Sequence, residues 1–223
     1  MLRNVSGDGS RVARLDRRSG IGCNTAMLIP LLMVVAAYLL GSLSTAIVVC
    51  RVLGVADPRE AGSRNPGATN VLRIAGKGPA AVTLLGDSAK GLIPVLIGHA
   101  LGLDASWLAA IALAAFLGHL YPLYYGFEGG KGVATFIGVT LALNPLLGAS
   151  FVGIWLVMAF ALRWSSLAAL VATACMPVVS WWLKAPPVAV ALVGVMCVLV
   201  FWRHQGNIRN LLNGTEKKIG HQA

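Results

Sequence analysis

Two polar stretches of the sequence combine residue types that bind anions. Residues 62–73 read GSRNPGATNVLR, and residues 126–132 read GFEGGKG. Glycines let backbone N–H groups approach an anion, hydroxyls donate hydrogen bonds, and arginine and lysine supply positive charge. The second stretch is not a P-loop, because that motif requires Ser or Thr after the lysine and Gly132 stands there. Ordinary turns remain the alternative, the first with a helix beginning at Pro66 and Asn65 as its cap.

Ionisable groups also occur in or beside apolar segments. Asp87 and Lys90 are three residues apart and share one helix face. Charges inside a membrane segment are costly and are candidates for function, although a mutually neutralising structural pair is the alternative. His204 and Asn207 have the same spacing in the tail, where a histidine can donate to phosphate or act as a base; a lipid-headgroup anchor is the alternative. His119 is treated as mainly structural, although it precedes the lysine stretch.

The elements that must position these residues are membrane helices. Of the 223 residues, 57% are hydrophobic and 12% are charged, and the mean hydropathy is +0.76. This composition excludes a single water-soluble domain and a disordered chain. The formal net charge of +10 is better explained by cations in cytoplasmic loops and at anionic lipid than by nucleic acid, so no nucleic-acid partner is expected.

Hydropathy predicts an all-α integral membrane protein with about seven transmembrane helices, some of them short or re-entrant. An N-terminus outside and a cytoplasmic C-terminus would place 11 of the 13 lysines and arginines after residue 26 on the inner side. Counting 133–143 as re-entrant would break the alternation and put the tail outside. The predicted segments are 27–50, 79–101, 107–125, 133–143, 146–162, 165–183 and 188–202.

Residues 1–26 disagree with this topology, because their five arginines would have to be translocated. Two explanations stay open: the natural chain starts at Met27, or residues 1–26 form a dispensable basic extension. The four cysteines have no C-x-x-C spacing, and no cluster of metal-ligand type occurs. Neither a disulfide framework nor a metal site is expected. All the polar clusters fall on the inner side, which favours an enzyme that handles phosphate substrates beside the bilayer; an organic-phosphate transporter is the alternative.

At these stretches the chain resembles the bacterial acyl-phosphate:glycerol-3-phosphate acyltransferase family, the PlsY type. The resemblance rests on Gly41-Ser42 and on four longer strings, and it extends from about Tyr38 to Lys218. The strings are GSRNPGATNVLRIAGKG (62–78), GDSAKG (86–91), GHLYPLYYGFEGGKGVAT (118–135) and RHQGNIRNLLNGTEKK (203–218). Where the family usually has glycine this chain has Arg64, and where lysine is frequent it has Glu128.

The resemblance implies transfer of an acyl chain from acyl phosphate to the 1-hydroxyl of sn-glycerol 3-phosphate, without a cofactor. It implies a transmembrane acyltransferase domain over 27–203 and a cytoplasmic basic tail over 204–223 that contributes to the site, in a bacterial inner membrane. Functional coupling to the enzyme that makes acyl phosphate is also expected. Lys131, His204 and Arg73 are expected to be catalytic. The expected phosphate-binding residues are Ser63, Asn65, Gly67, Thr69, Asn70, Gly129, Gly130, Gly132 and Asn207. The expected supporting residues are Asp87, Lys90 and His119.

An acyl phosphate is already activated, so no covalent nucleophile is required. Orientation and charge stabilisation can supply much of the catalysis, with Lys131 and Arg73 offsetting charge on the leaving phosphate. The incoming hydroxyl still needs a proton acceptor. His204 is one possibility, and the phosphate of the donor is the other. We favour the phosphate, because the sequence offers no evident carboxylate base at a cationic site.

Overall fold

The computed structural model describes residues 19–219, with side chains from Met27 onward. Over these residues it contains ten α-helices, a 3-10 turn at Leu123–Tyr125 and no strand, which confirms the all-α prediction for this part of the chain. The helices are α1 (Ser19–Gly41), α2 (Thr45–Val52), α3 (Ala68–Ala75), α4 (Lys77–Ala100), α5 (Ala105–Leu120), α6 (Val133–Leu143), α7 (Pro145–Leu162), α8 (Ser165–Trp182), α9 (Pro187–Arg203) and α10 (Gln205–Leu212).

Among the described residues, four segments are long and apolar enough to cross a membrane: α4, α5 with the 3-10 turn, α7 and α8. Two bent pairs raise this number to six, namely α1 with α2, bent by 42°, and α9 with α10, bent by 60°. Helix α6 has 11 residues, which is too short for an upright crossing of about 30 Å of hydrocarbon. The count of seven spans and the orientation of the termini stay predictions.

The span predicted over 27–50 contains a break, because α1 ends at Gly41 and α2 begins at Thr45, and the two helices together still qualify as one bent span. Ser44 has an extended backbone and is the N-cap of α2. Its hydroxyl accepts a 3.4 Å hydrogen bond from the N–H of Ile47 in the first turn of that helix. Within the break, the carbonyl of Leu43 accepts a 2.7 Å hydrogen bond from Lys90 Nζ. A capping serine and a buried lysine on α4 therefore stabilise a bend where hydropathy alone indicates one helix.

Glycines let the helices that carry the site pack closely. A Cβ on Gly41 would overlap the carbonyl oxygen of Ala115, where α1 meets α5, and a Cβ on Gly138 would overlap that of Ser88, where α6 meets α4. Small residues at such contacts allow membrane helices to approach each other's backbone. A buried aromatic cluster at the centre of the bundle is formed by Phe116, Phe136 and Phe151.

Helix starts follow the capping signals in two places and depart from them in a third. Asp104 caps α5 by accepting from the N–H groups of the first turn, and Asn144 caps α7 with a proline directly after it. The proposed helix start at Pro66 with Asn65 as its cap is wrong. Helix α3 begins at Ala68 and its N-cap, Gly67, has no side chain to cap with.

The tail turns back after α10 and contacts the turn between α7 and α8. The N–H of Ile219 donates to the carbonyl of Arg163 at 2.7 Å, and Trp164 Nε1 donates to the carbonyl of Glu216 at 3.2 Å. At the other end, α1 begins before Met27, so the predicted boundary of the extension falls inside a helix. Residues 1–18, which include the five arginines, and residues 220–223 lie outside the described part of the chain.

Candidate active site

A cavity of about 420 Å³ gathers residues from the first polar stretch, the lysine stretch and the tail. Its other part runs between α4, α6, α7 and α8 and is apolar, with Leu84, Val133, Ile137, Leu141, Val152 and Leu156 among its lining residues. A cationic, hydrogen-bonding end is thus continuous with a hydrocarbon-like groove. Twelve of the predicted site residues line it: Ser63, Asn65, Gly67, Thr69, Asn70, Arg73, Asp87, His119, Lys131, Gly132, His204 and Asn207.

Lys131 is the central cation of the polar end. It precedes α6, and its Nζ donates a 2.5 Å hydrogen bond to Asn207 Oδ1 on α10. Burial, with the positive charges of Arg73 and Arg203, lowers the pKa of Lys131 to about 8, while Glu216 opposes the shift. Arg73, from α3, is half-buried on the same side of the cavity. Two cations from distant elements therefore face one space, which is suited to a phosphate dianion.

The two glycines before Lys131 have a packing role in the structure. Arg203 donates to the carbonyls of Gly129 and Gly130 at 2.6 and 3.1 Å, and the N–H of Gly130 donates to the carbonyl of His119. A Cβ on Gly129 would overlap the end of α5. Because Gly129 and Gly130 do not line the cavity, their expected contact with phosphate stays a prediction, whereas Gly132 does face the space.

In the first stretch, Asn70 is buried and its amide holds the loop in place. Its Oδ1 accepts from the N–H of Ser63 at 2.7 Å, and its Nδ2 donates to the carbonyls of Pro58 and Ala61 at 2.8 and 3.0 Å. The amide of Asn70 is therefore occupied by loop contacts, although the residue was expected to bind phosphate. Ser63, in contrast, lines the cavity with an exposed side chain, and its backbone is held by the hydrogen bond to Asn70.

Two side-chain hydroxyls close one side of the polar end. Thr69 Oγ1 on α3 and Ser165 Oγ on α8 are 3.1 Å apart, across a gap between helices that are far separated in the sequence. Asn65 and Gly67 line the cavity beside them. The expected roles of Thr69, Asn65 and Gly67 toward phosphate stay predictions.

The predicted pair inside α4 forms a buried cluster with a histidine. Asp87 Oδ1 is 2.9 Å from Lys90 Nζ and 3.8 Å from His119 Nδ1 on α5. Lys90 also reaches the break between α1 and α2, and the carbonyl of Asp87 accepts from Thr135 Oγ1 at 3.0 Å. Lys90 lies outside the cavity lining, while Asp87 and His119 contribute to it. The cluster joins α4, α5 and α6 to the break between α1 and α2, beside the polar end of the cavity.

His204 is buried at the bend between α9 and α10. Its Nδ1 donates a 2.8 Å hydrogen bond to the carbonyl of Val200, because a carbonyl oxygen can only accept. Burial and the ammonium of Lys131 lower the pKa of His204 to about 4, so the ring is neutral at pH 7. In this tautomer Nε2 is left as an acceptor.

Sequence reasoning missed the role of Glu216. Its Oε1 accepts from Ser166 Oγ at 2.6 Å and from Asn207 Nδ2 at 2.7 Å, so a carboxylate lies beside the cation site. The sequence offered no evident carboxylate base, and the two carboxylates that line the cavity, Asp87 and Glu216, are both engaged in hydrogen-bonded or ionic contacts. A signal was available, because Glu216 is the sole acidic residue after position 203. Within residues 19–219, no cluster of three or more His, Cys, Asp or Glu side chains has a geometry that could hold a metal ion.

Comparison with known proteins identifies the family. The family model described as glycerol-3-phosphate acyltransferase matches residues 31–214. The chain belongs to the glycerol-3-phosphate acyltransferase family. It is 54% identical over 197 residues to the glycerol-3-phosphate acyltransferase of Thioalkalivibrio sulfidiphilus, covering 88% of this chain and 97% of that protein. It is 50% identical over 193 residues to that of Halorhodospira halophila, covering 86% and 98%.

Two solved structures share the fold. They are crystal structures of PlsY (YgiH), an integral membrane glycerol 3-phosphate acyltransferase, in its glycerol 3-phosphate and lysophosphatidic acid forms. The TM-scores are 0.83 and 0.81 at 38% and 37% identity, and both matches cover 86% of this chain and 96% of that one. The integral membrane class and the family resemblance are thereby confirmed, and these comparisons give no support to a transporter.

Proposed function

We propose that this protein transfers an acyl chain from acyl phosphate to the 1-hydroxyl of sn-glycerol 3-phosphate, giving lysophosphatidic acid and inorganic phosphate. The observation that carries the proposal is the two-part cavity, in which a cationic end is continuous with an apolar groove. A substrate with a phosphate and an acyl chain fits both parts at once. The names of the relatives support the acceptor and the product. The choice of donor is what the resemblance to the PlsY type implies, and a cationic end suits a phosphate leaving group.

Each part of the cavity has a proposed role. Lys131 and Arg73 contact the phosphate that leaves the donor, and Ser63, Thr69 and Asn207 bind the phosphate of the acceptor, with Asn65, Gly67 and Gly132 beside them. Preorganised cations at the leaving oxygen stabilise the charge that grows there as the bond breaks. The transferred chain lies along α6, from Val133 to Leu141, a length of about 12 Å at the helical rise per residue.

The reaction needs no enzyme nucleophile. The acceptor oxygen attacks the acyl carbon, the bond from that carbon to the phosphate oxygen breaks, and the electron pair leaves with the phosphate. The hydroxyl proton passes to an oxygen of the departing phosphate, which we favour as the acceptor because Asp87 and Glu216 are both engaged. Nε2 of His204 is the alternative acceptor, and its neutral ring makes it available. If His204 takes the proton, His204→Ala should remove nearly all turnover. If the phosphate takes it, the same substitution should chiefly raise the KM.

The decisive experiment offers purified protein three donors with labelled glycerol 3-phosphate: acyl phosphate, acyl-CoA and acyl carrier protein. We expect labelled lysophosphatidate from acyl phosphate alone, with equimolar release of inorganic phosphate. Lys131→Ala should remove the product, and Lys77→Ala, at an exposed lysine outside the cavity, should not. Product formed only from a thioester would contradict the proposed donor, and no product from any donor would contradict the proposed activity.

The proposal also places the polar end of the cavity at the cytoplasmic side of a bacterial inner membrane. The charge distribution of the loops supports this orientation. The proposed coupled enzyme would then supply acyl phosphate from the cytoplasm. Single cysteines at Gly206 and Lys184, in a chain without other accessible cysteines, should be labelled from opposite sides of intact vesicles. Labelling of both from one side would contradict the topology without affecting the chemistry.

A further inference from the structure

Glu216 occupies a position in the cavity that the reaction itself does not require. It belongs to the segment that follows α10, yet its carboxylate lies between α8 and α10. Its Oε1 accepts two hydrogen bonds, from Ser166 Oγ at 2.6 Å and from Asn207 Nδ2 at 2.7 Å. Its backbone carbonyl accepts from Trp164 Nε1 at 3.2 Å. The carboxylate is therefore held by two side chains, and the backbone of the same residue by a third.

These contacts determine how Asn207 is oriented. An amide presents one donor group and one acceptor oxygen, and a carboxylate can only accept. With Nδ2 committed to Glu216, Oδ1 must point the other way, where it accepts from Lys131 Nζ at 2.5 Å. Ser166, Glu216, Asn207 and Lys131 thus form one directed chain of hydrogen bonds.

We propose that Glu216 is a positioning residue that fixes the amide of Asn207 and keeps Lys131 charged for catalysis. The inference rests on the proposed function for the role of Lys131, but the arrangement is independent of it. The carboxylate of Glu216 holds the amide of Asn207 in one orientation, and that amide holds the ammonium of Lys131. Removing the charge of Glu216 therefore weakens the hold on both side chains.

The charges around Lys131 explain why a carboxylate is needed. Arg73 on α3, Arg203 at the end of α9 and Lys217 in the tail bring positive charge to the same region, and His204 is neutral. On the far wall Asp87 is already paired with Lys90, beside His119. Glu216 is thus the carboxylate near Lys131 that has no ion-pair partner of its own within the described residues. Without it, burial and like charges both favour the neutral amine.

The test measures the ionisation of Lys131 directly, without turnover. Purified protein is treated with an isotopic acetylating reagent over a range of pH, and mass spectrometry follows modification of the peptide that contains Lys131. We expect Glu216→Gln to lower the midpoint of labelling by about half a pH unit or more, and Ser166→Ala, which keeps the charge but frees the carboxylate, to lower it by less. Thr215→Val, at the exposed neighbouring position, should leave the midpoint unchanged.

Activity supplies the second readout. In Glu216→Gln the alkaline fall of kcat/KM for glycerol 3-phosphate should move to lower pH by the same interval as the labelling midpoint. An unchanged midpoint in both Glu216→Gln and Ser166→Ala, in folded protein, would overturn the proposal and leave Glu216 a purely structural tail contact. If Glu216→Gln does not fold, Ser166→Ala alone decides the outcome. If the labelling midpoint shifts in Glu216→Gln but the unmodified wild-type protein has no acyltransferase activity, the arrangement is supported and the proposed function is contradicted.

Discussion

The two anion-type stretches of this chain are held in place by opposite means. In the first, Asn70 fixes its own neighbourhood through hydrogen bonds that span at most 12 residues of sequence. In the second, the carbonyls of Gly129 and Gly130 are held by Arg203, 74 and 73 residues away, and Lys131 contacts Asn207, 76 residues away. The first stretch is a locally supported loop, whereas the second depends on the carboxyl-terminal part of the chain.

This difference separates residues that look equivalent in the sequence. Within the first stretch, both Asn70 and Arg73 line the cavity, but the amide of Asn70 is taken up by loop contacts, whereas Arg73 makes no such loop contact within the described residues. Within the second, Gly130 supports the loop and Lys131 faces the cavity. Substituting a supporting residue should cost stability, and substituting a cavity-facing residue should cost turnover with the fold intact.

The largest effect is expected at Lys131. Lys131→Ala removes a preorganised cation from the leaving phosphate, which typically costs about 100- to 1,000-fold in turnover. Lys131→Arg should recover only part of this loss, because the wider guanidinium must fit beside Gly132. The measurement is the initial rate with acyl phosphate and glycerol 3-phosphate, at matched amounts of folded protein. Lys131→Ala turnover above about a third of wild type would contradict the phosphate site.

A pair of substitutions in the first stretch tests the division between support and site. Arg73→Ala should lower kcat/KM by about 10- to 100-fold, since a hydrogen bond to a charged group contributes about 1.5–3 kcal/mol, and should leave the thermal midpoint unchanged. Asn70→Ala should destabilise the protein by about 1–3 kcal/mol, because it leaves buried loop groups unpaired.

Thermal unfolding in detergent and steady-state kinetics measure these two properties separately. Asn213→Ala, an exposed asparagine in the tail, serves as the control for the loss of an amide. The comparison between the two kinds of residue fails if Arg73→Ala unfolds the protein, or if Asn70→Ala retains its stability and loses only phosphate affinity.

The sequence predicts the composition of the site better than its architecture. Twelve of its predicted residues line the cavity, since glycines, hydroxyls and cations in short strings carry a local chemical signal. The isolation of Glu216 as the sole acidic residue after position 203 marks it in the sequence, but its partners do not follow from this, because they depend on the tail folding back onto Ser166 and Trp164. The packing roles of Gly129 and Gly130 were hidden for the same reason, as the partners belong to α5 and α9.

The fold shows the same limit. Hydropathy located the apolar segments, but it did not give the helix starts that Asp104 and Asn144 cap in the structure. The break between α1 and α2 was missed because its residues, from Gly41 to Ser44, interrupt the apolar run too briefly to divide a window of about 20 residues. A short apolar stretch satisfies a hydropathy window whether it is straight or bent. The bend depends on the cap at Ser44 and on Lys90 from α4. A hydropathy profile records neither the hydrogen bond of the cap nor the contact with the lysine.

A pH profile distinguishes the buried lysine of the second stretch from the arginines around it. Burial lowers the pKa of Lys131 to about 8, so the protonated form dominates below that pH and disappears above it. We expect kcat/KM to have fallen by about half near pH 8 and to fall about tenfold per pH unit well above it. Bound phosphate favours the ammonium, so the fall in kcat should lie at higher pH. Lys131→Arg should remove the alkaline fall, because guanidinium does not titrate in this range. An identical fall in that variant would assign it to another group.

The smallest effect is expected at Arg64, which shares the first stretch with Arg73 but lies outside the cavity lining. Arg64 has a φ of +57°, a left-handed conformation that costs a non-glycine residue about 1–2 kcal/mol, which explains why glycine is usual here. Arg64→Gly relieves this cost, but glycine gives the unfolded chain about 0.5–1 kcal/mol of extra conformational freedom. The net change in unfolding free energy should therefore be a stabilisation of about 1 kcal/mol or less. The exposed guanidinium acts on substrates only through screened solvent, so kcat/KM should fall less than about threefold, and less again at high salt. Thermal unfolding and rates at two ionic strengths measure both quantities. A loss as large as that of Arg73→Ala would mean that Arg64 contacts phosphate and that the locally supported loop supplies two cations to the site.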